Sequence, residues 1–268
     1  MNDHNIGIGP TGELSLRVSV GTLVKVLFAD PLSGKLMLAL ERTATLQTVE
    51  NKSVVIVKAK PFGGGVRLLN PPGLKALIGE FHYDSERSLE EGDFRIQINP
   101  KYWGKIKEIC KEHLHNKGKE ILDPSPVREL AEEFEDSLKI RITPDKYELT
   151  PNGMLVEDTM TETENIHARG LLTVRVYYLF DAMLKNQKII DVIIENCNSY
   201  SDTDLQKMAF EDARQGGKGR ANAMLIMPLD ELETLYRSIP KEKRSSLIQY
   251  KGHLLDGNVP AILNAVSN

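Results

Sequence analysis

Arg128-Glu129-Leu130-Ala131-Glu132-Glu133-Phe134, preceded across seven intervening residues by Glu120, is the stretch that decides how this chain folds. Helical spacing sets Glu129, Glu132 and Glu133 three and four apart, on one face. Val127, Leu130, Ala131, Phe134 and Leu138 fall on the opposite, apolar stripe. One side is predicted to pack and the other to present acid. Four carboxylates and a guanidinium so arranged can hold a divalent metal beside a diphosphate. A hard cation such as Mg2+ takes oxygen ligands, commonly one or two carboxylates together with substrate phosphates. A plain solvated helix face fits the same residues, since like charges at this spacing cost only about 0.2–0.5 kcal/mol per pair. Arg128 with Glu132 even makes a favourable pair.

Upstream, Leu16 to Phe28 and Lys35 to Leu40 read as strands joined by Ala29-Asp30-Pro31-Leu32-Ser33-Gly34, a β-hairpin with turn residues where a turn needs them. Ser53 to Lys58 reads as a third strand, rich in β-branched residues. It runs into Gly63-Gly64-Gly65, where glycine permits a sharp turn or the close approach of a ligand. Asn70-Pro71-Pro72-Gly73 reads as a turn, and Lys101 to Asn116 as an amphipathic helix with Trp103, Ile106, Ile109, Cys110 and Leu114 on its apolar stripe. Asp123-Pro124-Ser125-Pro126 starts the acidic helix, with proline tolerated in a first turn. Downstream, Leu171 to Phe180 and Met224 to Met227 read as strands, the second leading into a helix at Pro228-Leu229-Asp230. The tail from Lys241 reads as helical, then irregular. Strands and helices do not alternate regularly, which points to a mixed α/β or α+β layer sandwich rather than a doubly wound parallel sheet.

The acidic stretch resembles the signature of the Nudix hydrolases: Gly, five residues, Glu, seven residues, Arg-Glu, an aliphatic, any residue, Glu-Glu, any residue, Gly, an aliphatic. Glu120, Arg128, Glu129, Leu130, Glu132 and Glu133 are in register. Two features depart. Glu135 and Asp136 stand where the family has Gly and an aliphatic, and residues 66–117 separate the glycine triplet from Gly118-Lys119-Glu120. The resemblance implies a Nudix-like α/β/α sandwich with a mixed sheet, formed by 15–65 and 118–240. It leaves 66–117 as an insertion within the same domain, a lid or interface, and 241–268 as a C-terminal helical extension. It further implies a Mg2+- or Mn2+-dependent pyrophosphohydrolase acting on a nucleoside diphosphate linked to another moiety. Glu129 and Glu133 would be the main metal ligands with Glu132 in support, and Arg128 with Glu120 would fix the helix geometry. Gly63, Gly64, Gly65 and Arg67 would contact substrate. The altered end of the signature motivates a second expectation, a lapsed Nudix-like module that binds a ligand or a protein without cleaving anything.

The remaining signals are coarser. With 268 residues, 41% of them hydrophobic, the chain can bury a sizeable core. A net charge of -4 supplies no global basic field, which speaks against nucleic acid as partner, whereas the resemblance implies a nucleotide-like small molecule. Cys110 and Cys197 form neither a disulfide framework nor a zinc spacing, which suits a reducing cytoplasm. No apolar run reaches membrane-spanning length, and a homodimer is compatible with everything above. Glu211 and Asp212 are candidate extra ligands or helix-surface acids. Arg214, Lys218 and Arg220, around Gly216, Gly217 and Gly219, are a candidate phosphate clamp or a surface loop. Tyr177, Tyr178 and His167 carry weaker signals, and His113 with His115 is not read as a metal site.

Overall fold

The computed structural model describes residues 15–49, 52–116, 121–162 and 170–263. In chain order its elements are β1 (Leu16–Ala29), β2 (Leu36–Val49), β3 (Lys52–Lys60), β4 (Phe62–Gly65), β5 (Arg67–Leu68), α1 (Pro71–Ile78), β6 (His82–Tyr83) and α2 (Glu86–Glu91). There follow β7 (Arg95–Ile98), α3 (Trp103–Asn116), β8 (Leu122–Asp123), α4 (Pro126–Leu138), β9 (Tyr147–Glu162), β10 (Leu172–Leu184), α5 (Gln187–Ser199) and α6 (Asp202–Arg214). The chain closes with β11 (Arg220–Pro228), α7 (Leu229–Ser238), β12 (Ile248–Tyr250), β13 (His253–Leu255) and α8 (Val259–Ile262). Helices and a mixed sheet thus share the chain, as the irregular alternation predicts. No described helix is long and apolar enough to cross a membrane.

Two compact units result: Met1–Thr22, Gly64–Pro126 and Asn152–Leu179 form the first, and Leu23–Gly63, Val127–Pro151 and Phe180–Asn268 the second. The interval 66–117 falls within the first of these units. In the first unit, Leu16 to Ser19 of β1 pair antiparallel with β7, and β7 pairs with β6. The apolar stripe of α3 is buried at Trp103, Ile106, Ile109 and Cys110, as its spacing predicts. The Tyr178 hydroxyl donates to the Cys110 carbonyl at 2.8 Å, so Tyr178 packs in the core. A buried ion pair links Arg17 to Asp84 at 2.6 Å, and the Ser88 hydroxyl donates to the same carboxylate at 2.6 Å.

The second unit is organised around β2. One edge of β2 pairs with β11 from Met37 to Thr45, in register Glu41↔Met224 and Thr43↔Asn222. The other edge is divided between β1, at Leu36 to Ala39, and β3, where Glu41↔Lys60 and Thr43↔Lys58. Because side chains alternate across a strand, odd and even positions of β2 face opposite ways. On the even face Ala44, with Val55, Val57, Ala221 and Ala223, packs against Leu205 and Ala209 of α6. On the odd face Ala39 and Met224, with Val24, Val26, Phe28 and Phe62, pack against Leu130 and Phe134 of α4 and Ile190 and Ile193 of α5. Helices therefore cover both faces of the sheet in this unit.

Three local expectations are corrected. Gly63-Gly64-Gly65 lies within strand β4, although Gly63 does adopt a positive φ of 145°. Gly63→Ala should consequently cost about 1–3 kcal/mol, the usual range for a side chain forced into such backbone; an unchanged urea midpoint would refute this. Asn70-Pro71-Pro72-Gly73 is not a free turn but the start of α1. The Asn70 side chain caps it by accepting from the Gly73 amide at 2.8 Å, and the prolines occupy the first turn, where a missing N–H costs nothing. The tail is a hairpin rather than a helical extension. Lys251 and Gly252, at φ 48° and 84°, make the turn between β12 and β13, and Leu255 pairs parallel with Ala59. Two successive positive φ values match the twist of a tight hairpin. Among the described residues of the tail, only the four of α8 are α-helical.

Candidate functional site

The acidic helix forms where the sequence puts it. Asp123 accepts from the Ser125 amide at 3.1 Å, and Pro126 opens α4. Leu130 and Phe134 turn inward, with the Phe134 ring 5.4 Å from that of Phe62. This packing fixes the helix rotation and separates acids that spacing alone places on one face. Glu132 is 56% exposed and pairs with Arg128 at 3.1 Å. Glu129 is buried, with Arg128 Nη2 at 2.5 Å. Glu133, only 12% exposed, points to the sheet. Glu120 lies outside the described residues, as do His167 and the side chain of His115.

Glu133 meets a partner set that the sequence reading did not single out. Glu41, on the odd face of β2, is fully buried, and Lys60 Nζ sits 2.6 Å from its Oε2. The same ammonium lies 3.4 Å from Glu133 Oε1. Arg220 Nη2 and the Ser137 hydroxyl each donate to Glu41 Oε1 at 3.2 Å. The departure Glu135-Asp136 leaves α4 helical to Leu138, and that extra length is what brings Ser137 over Glu41. Period-two alternation carried a signal here. Lys58 and Lys60 alternate with Val57 and Ala59, and Glu41 interrupts an apolar strand.

Glu133 Oε2 is buried and accepts no hydrogen bond, while its protonated carboxyl shares one with Glu41. Burial, and then the negative charge of Glu41, push the Glu133 carboxyl up to about 8. Glu41 moves the other way: its own desolvation is outweighed, chiefly by the Lys60 ammonium, so it stays ionised. The two carboxyls need a proton or a cation to share the space. Because Glu133 holds its proton in the folded state well above the unfolded range, the folded protein binds more protons than the unfolded chain over that interval. Stability contributed by Glu133 is thus present at low pH and lost as pH rises through about 8. In metal-free buffer the urea midpoint should fall from pH 6 to pH 8.5, and Glu133→Gln should flatten that slope. An equal slope in the variant would refute the assignment.

The other candidates fall elsewhere. Gly63 belongs to the second unit, whereas Gly64, Gly65 and the exposed Arg67 belong to the first. Asp212 is held as a loop anchor, accepting from the Gly219 amide at 2.8 Å and the Arg220 amide at 3.2 Å. Glu211 is on the surface of α6, paired with Arg214 at 3.7 Å. Lys218 is exposed, so of the three basic residues only Arg220 reaches the acids.

No cluster of three or more described acids, histidines or cysteines converges for a metal. Mg2+ asks for less, one or two carboxylates plus substrate oxygens. Glu133, whose buried Oε2 accepts no hydrogen bond, and Glu129, one helical turn before it, fit that smaller requirement. No family model, curated protein or solved structure matches the chain.

Proposed function

We propose that the second unit is a Nudix-type pyrophosphohydrolase whose substrate is a nucleoside diphosphate linked to another moiety. The observation that carries this reading is the buried, donorless oxygen of Glu133, set in register with Arg128, Glu129 and Glu132 on a packed helix. Glu133 and Glu129 would hold Mg2+ or Mn2+, with Glu132 in support from its more exposed position. Such a cation, when bound, neutralises phosphate charge and lowers the pKa of a bound water. Arg128 restrains Glu129 and Glu132 through its two ion pairs. Lys60 and Ser137 hold Glu41, which in turn fixes where the Glu133 carboxyl can lie. The test is release of phosphorylated product from a panel of nucleoside diphosphate derivatives, with and without Mg2+. Metal-dependent release supports the hydrolase.

A second reading is favoured by one specific observation. Two cations, Lys60 and Arg220, already balance Glu41, and Lys60 also reaches Glu133. A site so compensated suits a module that binds a phosphorylated ligand without cleaving it. Tight binding of a nucleoside diphosphate derivative with no product over hours would select this reading.

A further inference from the structure

The odd face of β3-β2-β11 is unusually polar for a sheet surface beneath a helix. Its central rows read Lys60, Glu41, Met224 and then Lys58, Thr43, Asn222. Lys58 is occupied by Asp256 at 2.7 Å. Lys60 and Arg220 both converge on the single fully buried Glu41. Arg220 donates Nε to Asn222, in the row of Thr43, at 3.1 Å and Nη2 to Glu41 in the next row, so its guanidinium runs alongside Thr43. Thr43 itself is 5% exposed, and its buried hydroxyl has no hydrogen-bond partner. A buried, unpaired hydroxyl costs about 1–3 kcal/mol, and nothing in the packing of the strand requires one there: valine has the same shape.

We propose that Lys60, Thr43 and Arg220 form an anion subsite, and that the group it takes is a phosphate of the ligand. A tetrahedral phosphate offers several acceptor oxygens to one guanidinium, one ammonium and one hydroxyl. The side chains of Arg220 and Lys60 are 38% and 26% exposed, so neither is sealed from solvent. Charge-assisted bonds of this kind are about twice as strong as neutral ones, and arginine adds a planar fork suited to phosphate. The subsite rests on and deepens the diphosphate reading of this face but depends on neither metal nor turnover.

The test is therefore binding in the presence of chelator. Inorganic pyrophosphate is titrated calorimetrically into the full chain at low salt, for wild type, Arg220→Gln and Thr43→Val. Inorganic phosphate and a nucleoside diphosphate are titrated alongside, which distinguishes free anion from ligand-borne phosphate. The expected result is binding of at least one phosphate probe by wild type, weakened about tenfold by each variant, one hydrogen bond being worth about that factor. Thr43→Val should also leave the urea midpoint unchanged or raised, so its loss of affinity cannot be misfolding. Absence of binding to all three probes by wild type, or unchanged affinity in either variant, overturns the subsite. Phosphate binding with no metal-dependent hydrolysis would sink the hydrolase reading alone.

Discussion

Glu133→Gln should reduce Mg2+-dependent turnover by about 100-fold or more while the protein stays folded. Disturbing even the hydrogen-bond partner of a metal ligand typically costs about 10–100-fold, and here the proposed ligand itself is exchanged. Glutamine retains the size of the side chain and one carbonyl oxygen but cannot ionise. Packing should tolerate it, because the native carboxyl already holds a proton up to about pH 8 and bears no obligatory ion pair on Oε2. Steady-state rates at saturating Mg2+, with a circular dichroism check of folding, decide the matter. A variant that is folded and fully active would mean Glu133 has nothing to do with the chemistry. A variant that unfolds would contradict the claim that a neutral carboxyl is native there.

Lys60→Met should instead act on stability, lowering it by about 3–5 kcal/mol, the range found when one partner of a buried ion pair is removed. Glu41 has no exposure at all, and Lys60 is its shortest contact at 2.6 Å. Methionine matches the aliphatic stem, so the lost term is the charge. Arg220 and Ser137 would remain on Glu41, both at 3.2 Å, which places the effect toward the lower end of that range. Equilibrium urea unfolding measures it. The double variant Lys60→Met with Glu41→Leu should recover much of the loss, since replacing both charges removes the uncompensated one. A Lys60→Met protein as stable as wild type would show that the buried carboxylate does not depend on this ammonium.

Much of this architecture was legible because it is local. The 3.6-residue period around Leu130 and Phe134 determined helix α4 and its buried stripe, and the same period determined α3 through Ile106 and Cys110. The β1–β2 hairpin followed from its Asp-Pro-Ser-Gly turn chemistry. The cap at Asn70 is not legible, because a helix beginning Pro-Pro-Gly has the sequence of a turn and differs from one only through its side-chain cap. The hairpin of the tail is not legible, since Lys251-Gly252 is a weak turn signal and β13 is a strand only through its pairing with β12 and β3.

What the sequence by itself determined is a mixed α and β chain with an acidic, one-side-packed helix carrying Arg128, Glu129, Glu132 and Glu133. Spacing could place those acids on one helical face but could not say what lies opposite each. Tertiary structure alone decided that Glu132 meets solvent and that Glu133 meets Glu41, Lys60 and Arg220. Those partners come from positions 41, 60, 133 and 220, joined only by strand register and by the rotation of α4 about Phe134. Register and helix rotation depend on burial of apolar surface across the whole unit. No short window of sequence contains that information.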